Sequence, residues 1–254
     1  MSIHHHHQRH HHQQEREALR LEVVITSVGF DDLLEVTLER NHCHFDSVIV
    51  VTTHADRATQ KLALKHGAFC VQSDLFFKNG RSFNKGAAVN AGFDHFQYHG
   101  WRMHMDTDIV LPDNFRRVIF NHSHLEQHCI YGADRLNIIG HERIRKLIAS
   151  RDNQHHHRLL VGENGNEGGL GHRLVCNLRG YLPLGFFQLW HCSAQKPYPY
   201  SLGTAAHDDM MFSASWPTHS RRHLPSVICY HLCPTKPKIG QNWDGKRSIG
   251  RLAK

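Results

Sequence analysis

Two aspartates, Asp106 and Asp108, stand one residue apart near the end of the segment WRMHMDTDIVLP (101–112). Apolar and polar residues alternate over 101–106, which is the period of a β-strand. Like charges at this spacing repel each other, and each is costly to remove from water unless a cation lies beside it. A solvated turn would explain the pair, because Asp favours turns. The alternative is a divalent cation that carries a phosphate.

Strand-like and helix-like segments alternate through the first 150 residues. Apolar, β-branched or alternating runs predict strands at LEVVITSV (21–28), SVIVVTT (47–53), AFCVQ (68–72), WRMHMD (101–106) and CIYGADRLNII (129–139). Helices are predicted from Asp31 or Asp32, from Asp56 to a stop at Gly67, over 83–96, from Pro112 to Phe120 and over 141–150. The alternation predicts an α/β fold with a mostly parallel sheet and helices on both faces. Ligands of such sheets bind beyond the carboxyl ends of the strands, which is where the two aspartates lie.

The second half of the chain is less regular. Residues 152–171 are rich in Gly, Asn and His, which predicts a loop. Apolar runs over 172–193, broken by Gly180 and Pro183, predict short strands and a smaller β region. The segment 206–216 predicts a helix with an acidic N-terminal end, and VICYHL (227–232) predicts a last strand.

The composition is that of a globular protein. The chain has 254 residues, of which 40% are hydrophobic, enough for one large domain. It shows neither an apolar run of about 20 residues nor an apolar leader, so we expect a soluble cytoplasmic protein without a transmembrane segment. The net charge is +7, and basic residues cluster late in the chain, which favours polyanionic or phosphorylated partners or a merely solvated tail. Residues 1–16 are histidine-rich and of low complexity, which predicts a disordered tail that binds transition metals adventitiously.

Five segments, in this order, resemble the GT-A superfamily of nucleotide-sugar glycosyltransferases over roughly residues 21–245. The Rossmann-like half ends in a DxD motif at 106–108, preceded by FNKGAAVNAGF (83–93), which is similar to the small-residue helix near the donor diphosphate. GFFQLWHC (185–192) and the following YPYS (198–201) resemble the acceptor-side strand and loop of galactosyltransferase-like members. AAHDDMMF (205–212) resembles the xED segment, and VICYHL supplies a C-terminal histidine. The resemblance divides the chain into a His-rich tail (1–16), a nucleotide-sugar-binding half (17–150), an acceptor-binding and catalytic half (151–235) and a basic tail (236–254).

The resemblance implies a divalent metal site. Its ligands would be Asp106, Asp108 and His231, with Asp106 holding ribose or a metal-bound water. An imidazole ligand would favour Mn²⁺ over Mg²⁺. The donor-binding residues would be Ser27, Val28, Ser73, Asp74, Asn84, Lys85, Gly86, Asp106 and Thr107. The chain departs from the family at 52–54, where Thr-Thr-His replaces the usual Asp.

The resemblance also implies a catalytic pair, Asp208 and Asp209. Repulsion between adjacent carboxylates can raise one pKa towards that of a general base, and helix capping is the alternative role. We assign Asp208 as the base and Asp209 as a positioning residue, although His207 stands where the family has Glu. Single displacement would then invert the anomeric centre. The acceptor-binding residues would be Phe187, Trp190, His191 and His207, with a place in the core as the alternative for Trp190.

The predicted function is metal-dependent transfer of a sugar from a nucleoside-diphosphate sugar, UDP by default, to an acceptor hydroxyl. The acceptor would be a glycan or 5-hydroxymethylpyrimidine in DNA. The DNA acceptor is considered because the superfamily includes phage enzymes that modify DNA. If the chain is phage-encoded, the enzyme would work in the host cytoplasm. A sugar nucleotidyltransferase is the nearest alternative, but SVGFDD (27–32) replaces its Gly-rich phosphate loop. A non-enzymatic, basic nucleic-acid-binding protein is the other alternative, and no recognition motif supports it.

Overall fold

The computed structural model describes residues 19–80, 83–122, 124–150, 175–176, 180–199, 204–235 and 247–252. The predictions for the His-rich tail 1–16 and the loop 152–171 lie outside these residues, as does the tail segment 236–246. Within the described part of the chain, no helix is long and apolar enough to cross a bilayer.

One eight-stranded, mostly parallel sheet forms the centre of the fold, as predicted. Its strands are β1 (Leu21–Thr26), β2 (Ser47–Thr52), β3 (Phe69–Gln72), β4 (Trp101–Asp106), β5 (Ile109–Val110), β6 (Ile130–Ile139), β9 (Gln188–His191) and β10 (Arg221–Cys233), in the order β3-β2-β1-β4-β9-β6-β10-β5. Only β9 and β5 run antiparallel to their neighbours among these strands. A two-residue turn joins β4 to β5, yet β5 pairs with β10 at the far end of the order, so the sheet curls back on itself. Strands β7 (Val175–Cys176) and β8 (Gly180–Tyr181) form a separate pair.

Six α-helices flank the sheet within the described residues. They are α1 (Asp31–Asn41), α2 (Arg57–Lys65), α3 (Lys85–Phe93), α4 (Phe115–Arg117), α5 (His141–Ala149) and α6 (Ala205–Ala214). The Asp56 side chain caps α2 by accepting from the Thr59 N–H, and Gly67 follows with φ 68°, both as predicted. The architecture is the predicted α/β arrangement of a Rossmann-like GT-A fold.

Two helix predictions were wrong in detail. The segment after Pro112 forms only one α-helical turn before it continues as a π-helical turn over Val118–His122. Neither Asp31 nor Asp32 caps α1, because Phe30 occupies the cap position and both aspartates lie in the first turn.

Strand β4 is buried on both of its faces, although its sequence alternates. His104 is fully buried there, with its Nδ1 3.2 Å from Oε1 of Gln188 on the neighbouring strand β9. Burial lowers the pKa of His104 to about 3, so the ring is neutral. The polar residues of β4 therefore form internal contacts and do not mark a solvated face.

The described part of the basic tail, residues 247–252, docks on α1. Arg247 donates to both carboxylate oxygens of Asp32 at 2.6 and 2.8 Å, and Arg251 donates to Asp31 at 2.6 Å. Ile249 is buried in the cluster that contains Leu33 of α1. These two arginines are therefore neutralised within the fold and add little to a polyanion-binding surface.

Candidate active site

The ends of three strands bring the predicted metal ligands together. Strands β4, β6 and β10 all point in the same direction in the sheet, so their carboxyl ends share one edge. Asp106 ends β4, Asp108 lies in the two-residue turn that follows, and His231 lies near the end of β10. The register pairs His231 with Asn137 of β6 on one side and with Ile109 of β5 on the other.

Helix α1 holds the turn that carries the two aspartates. Thr37 Oγ1 donates to the Thr107 carbonyl at 2.8 Å, and Asn41 donates to the Ile109 carbonyl at 2.7 Å. The side-chain oxygen of Asn41, Oδ1, also accepts from the Leu111 N–H at 2.9 Å. Because these side chains are buried, the turn is fixed by the fold and is not a free loop.

Buried Asp108 and partly buried His231 form a pair. His231 Nε2 lies 3.1 Å from Asp108 Oδ2, and His231 Nδ1 lies 2.8 Å from Asn137 Oδ1. Burial alone would lower the pKa of His231, but the charge of Asp108 and its hydrogen bond outweigh burial and raise the pKa to about 9. Asn137 was missed by the sequence analysis; its only signal was a polar residue near the carboxyl end of a buried strand.

The donor atoms of this pair fit a divalent cation. Within the described residues, Asp108 Oδ1 is buried and has no hydrogen-bond partner. A buried carboxylate oxygen without a donor is costly, and a cation would satisfy it. One carboxylate with one imidazole suits Mn²⁺, and the contact between Asn137 and the second ring nitrogen would fix the tautomer of a metal-bound histidine.

Beside this pair, Lys85 lies between two carboxylates. Its Nζ is 2.8 Å from Asp106 Oδ1 and 3.0 Å from Asp209 Oδ1, and its side chain is only 6% exposed. Burial would lower the pKa of Lys85, yet the two carboxylates raise it above its ordinary range. Burial would raise the pKa of Asp106, but Lys85 holds it at about 2. The cations beside Asp106 and Asp108 in this structure are therefore Lys85 and the His231 imidazolium.

Asp209 faces this edge from α6. The Tyr198 hydroxyl donates to its Oδ1 at 2.6 Å, and a Cβ on Gly185 would meet its Oδ2 at 2.1 Å. Burial raises the pKa of Asp209 to about 6, although Lys85 and Tyr198 act in the opposite direction. Tyr198 had no assigned role in the sequence analysis, and its place in the segment YPYS was the only signal.

The Asp208 carboxylate lies against α3. It is 2% exposed, and its Oδ2 would lie 3.4 Å from a Cβ on Gly86. The same Cβ would lie 2.1 Å from the Pro199 carbonyl oxygen, so the space at Gly86 is filled by the chain itself. The missing side chain of Gly86 therefore makes room for the Pro199 carbonyl, and it does not leave open space for the nucleotide-sugar donor. Asn84 caps α3 by accepting from the Ala87 N–H at 3.2 Å.

The other predicted donor residues are distributed along the same edge. Ser27 follows β1 and accepts a hydrogen bond of 3.2 Å from Thr107, and Val28 beside it is partly buried. Ser73 and Asp74 follow β3, two strands away from β1. Ser73 Oγ accepts from the Leu75 N–H, whereas the Asp74 side chain is 83% exposed.

Three predicted acceptor-binding residues do not reach the site, and their assignment was wrong. Phe187 and Trp190 are fully buried in apolar clusters. His191 is 1% exposed and pairs with Trp101 at the amino end of β4, which is the opposite edge of the sheet. His207 is exposed on α6, next to Asp208.

No protein-family model matches the sequence, and no curated protein is significantly similar to it. Solved structures do match the fold. A structure of glucosyl-3-phosphoglycerate synthase from Mycobacterium tuberculosis aligns with a TM-score of 0.50 and 12% identity, over 91% of this chain and 78% of that one. The same enzyme with Mn²⁺, UDP-glucose and phosphoglyceric acid aligns with a TM-score of 0.50 and 13% identity, over 86% of this chain and 75% of that one.

Mannosyl-3-phosphoglycerate synthase from Rubrobacter xylanophilus aligns less fully, with a TM-score of 0.39 and 16% identity over 49% of this chain and 42% of that one. At 12–13% identity, the two alignments with glucosyl-3-phosphoglycerate synthase establish architecture alone. The chain has the Rossmann-like GT-A fold that it shares with glucosyl-3-phosphoglycerate synthase.

Proposed function

We propose that this protein is a divalent-metal-dependent glycosyltransferase that uses a nucleoside-diphosphate sugar, with UDP as the default carrier. The observation that carries the proposal is the pair of Asp108 and His231, in which the buried Asp108 Oδ1 lacks a partner among the described residues. It lies at the carboxyl edge of a GT-A sheet, beside Lys85, Asp106 and Asp209. The complex of a fold neighbour with Mn²⁺ and UDP-glucose supports the same class of ligands.

In this proposal Asp108 and His231 hold the cation, and Asp106 binds ribose or a water on the metal. A cation bound there would neutralise the diphosphate leaving group. Asn137 orients the His231 ring through its 2.8 Å contact. Lys85 lies 2.8 Å from Asp106 and can donate to a donor phosphate or sugar oxygen at the same edge.

Asp209 is the better candidate for the general base, in place of Asp208, which the sequence analysis preferred. Its carboxylate meets Lys85 and Tyr198 at the edge of the site, whereas Asp208 is turned towards α3. A pKa of about 6 suits a base that works near neutral pH. Asp209 would take the proton of the acceptor hydroxyl while the acceptor oxygen attacks the anomeric carbon. The bond between that carbon and the diphosphate breaks in the same step, and the nucleoside diphosphate leaves. This single displacement inverts the anomeric centre, and a product of retained configuration by NMR would contradict it.

The experiment is a transfer assay by mass spectrometry with a panel of nucleotide sugars and Mn²⁺. The acceptors are glycans, hydroxymethylcytosine DNA and phosphoglyceric acid, the last because a fold neighbour was crystallised with it. We expect a sugar mass shift on one acceptor, lost with EDTA and lost in Asp108→Asn. Asp113→Asn is the matched control, because Asp113 lies five residues away and is 46% exposed in a surface pair with Arg40.

Two results would contradict the proposal. The first is that no nucleotide sugar supports transfer and that EDTA does not change the rate at which any of them is hydrolysed. The second is an Asp108→Asn variant that transfers as fast as Asp113→Asn. Release of diphosphate from a nucleoside triphosphate and a sugar phosphate would favour the nucleotidyltransferase instead. Binding of DNA that is unchanged in Asp108→Asn, without any transfer, would favour the non-enzymatic alternative.

A further inference from the structure

Three potential metal ligands converge at the edge of the sheet opposite to the candidate active site. They are His99, His191 and Cys192, whose ligand atoms all lie within 4.8 Å of one another. His99 precedes β4, while His191 ends β9 and Cys192 follows it. The proposed glycosyl transfer uses none of these residues.

The backbone fixes the relative position of the three side chains. Trp101 pairs with His191 in the antiparallel ladder, and the Cys192 N–H donates to the Gly100 carbonyl at 2.9 Å. These two contacts hold His99 beside Cys192 although 93 positions separate them in the sequence. The cluster is therefore a product of the fold and not of local sequence.

The His191 ring is also held in orientation. It is 1% exposed, and its Nδ1 lies 2.8 Å from Ser193 Oγ. Its ring makes edge contacts with Trp101 and with His99, each at 5.3 Å between centroids. His99 is exposed and Cys192 is partly buried, so the cluster is open to an ion from solvent on one side.

We propose that His99, His191 and Cys192 form a second metal site, selective for Zn²⁺ or a similar borderline ion. Two imidazoles and one thiolate are the ligand types that Zn²⁺ prefers, whereas Mg²⁺ prefers oxygen. Three protein ligands leave a fourth position for water or another ligand. Zn–N and Zn–S bonds of about 2.0–2.3 Å place tetrahedral ligands about 3.3–3.8 Å apart, and rotation of the exposed His99 can close the remaining distance.

The site differs in chemistry from the edge that holds Asp108. Its thiolate gives a charge-transfer band that carboxylates and imidazoles alone do not give. Cys233 Sγ lies 3.4 Å from His231 Nδ1 at the other edge, so the band is assigned by comparing Cys192→Ser with Cys233→Ser. The histidine tract within residues 1–12 will also bind transition metals, but it contains no cysteine. A sulfur-to-metal charge-transfer band therefore reports on a cysteine site even in the full-length chain.

The experiment is a titration of the reduced, full-length protein with Co²⁺, followed in the near-ultraviolet. We expect a thiolate-to-Co²⁺ band that saturates and disappears when Zn²⁺ is added. The band should be lost in Cys192→Ser and kept in Cys43→Ser, which removes an exposed cysteine elsewhere. His99→Ala should weaken Co²⁺ binding by about tenfold or more, since even loss of an outer-shell partner costs about 10–100-fold.

A second group at the same edge, Glu126, His128 and Cys129, provides the competing explanation. A band lost in Cys129→Ser and kept in Cys192→Ser would assign the ion to that group and overturn the proposal. Absence of any thiolate band in the wild type would overturn it too. Because His99 is exposed, His99→Ala should fold normally, so an unchanged Co²⁺ affinity in that variant would also refute the site even if Cys192→Ser fails to fold.

Discussion

Replacing Lys85 by Met tests whether the buried cation holds the site together. Lys85 contacts Asp106 and Asp209, and its side chain is 6% exposed. Met keeps much of the side-chain volume and removes only the charge. Taking away one partner of a buried ion pair costs about 3–5 kcal/mol, because it leaves an uncompensated buried charge. We therefore expect Lys85→Met to lower the free energy of unfolding by at least about 3 kcal/mol at pH 8.

The chain provides a matched control in Lys65→Met. Lys65 Nζ lies 2.8 Å from Glu35, the same N–O distance as between Lys85 and Asp106, but the Lys65 side chain is 61% exposed. Exposed ion pairs contribute about 0–1 kcal/mol. Lys65→Met therefore gives the effect of losing an exposed pair with the same N–O distance, and a larger loss in Lys85→Met reflects burial together with the second carboxylate, Asp209.

The loss in Lys85→Met should depend on pH. In the wild type, Lys85 holds the pKa of Asp106 at about 2, so this carboxylate stabilises the fold above the pKa of the unfolded chain, about 3.9. Without Lys85, burial raises the pKa of Asp106 and raises that of Asp209 further, so the folded state takes up protons as the pH falls. The variant should therefore lose less stability, relative to wild type, at pH 5 than at pH 8.

The measurement is urea unfolding followed by circular dichroism for wild type, Lys85→Met and Lys65→Met at both pH values. Losses within about 1 kcal/mol of each other at pH 8 would refute the idea that burial makes the Lys85 pair essential. A large loss in Lys85→Met that is equal at pH 5 and pH 8 would refute the electrostatic cause and point to packing.

Three further predictions follow from the pKa shifts and the docked C-terminal segment. The kcat/KM of transfer should fall about tenfold per pH unit below about pH 6, and Asp209→Asn should abolish transfer, because protonated Asp209 cannot act as a base. Burial lowers the pKa of His44 to about 4 and that of His104 to about 3, so below about pH 6.5 the unfolded chain binds protons that the folded chain does not. The free energy of unfolding, measured with urea, should therefore fall from about pH 6.5 to about pH 4, by up to about 1.4 kcal/mol per pH unit for each histidine. Arg247→Ala should cost about 1–3 kcal/mol in thermal or urea unfolding, because it leaves the mostly buried carboxylate of Asp32 with one backbone donor, and no measurable loss would show that the docked segment adds no stability.

The sequence predicted the sheet, and the edge at which Asp106 and Asp108 lie, because these signals are local. Long β-branched runs marked the buried strands, and a strand end followed by two acids marked the site edge. The assignment of His231 needed the resemblance, since its neighbours Cys229 and Cys233 did not by themselves indicate a metal site. The contact of Asn137 with His231 joins two strands 94 positions apart, and that of Tyr198 with Asp209 joins a loop to α6, so neither could be predicted from spacing.

The error over the segment GFFQLWHC has a clear physical cause. Strand β9 runs antiparallel to β4, so Gln188 pairs with His104 while His191 pairs with Trp101. The start of the segment, where Gly185 meets Asp209, therefore lies at the site, and its end lies at the opposite edge. A hydrophobic pattern identifies a strand but does not give its direction in the sheet.

The turn from β4 into β5 has a consequence for the order in which the site can form. Asp108 and His231 are 123 positions apart, yet the Leu232 N–H donates to the Asp108 carbonyl at 2.8 Å and Ile109 pairs with His231. During synthesis the two aspartates leave the ribosome long before the histidine strand exists. A chain cut anywhere before β10 keeps both aspartates but lacks the imidazole and the backbone that β5 pairs with. Under the proposed function, a cation held by Asp108 and His231 would therefore mark a chain in which β10 has paired with β5.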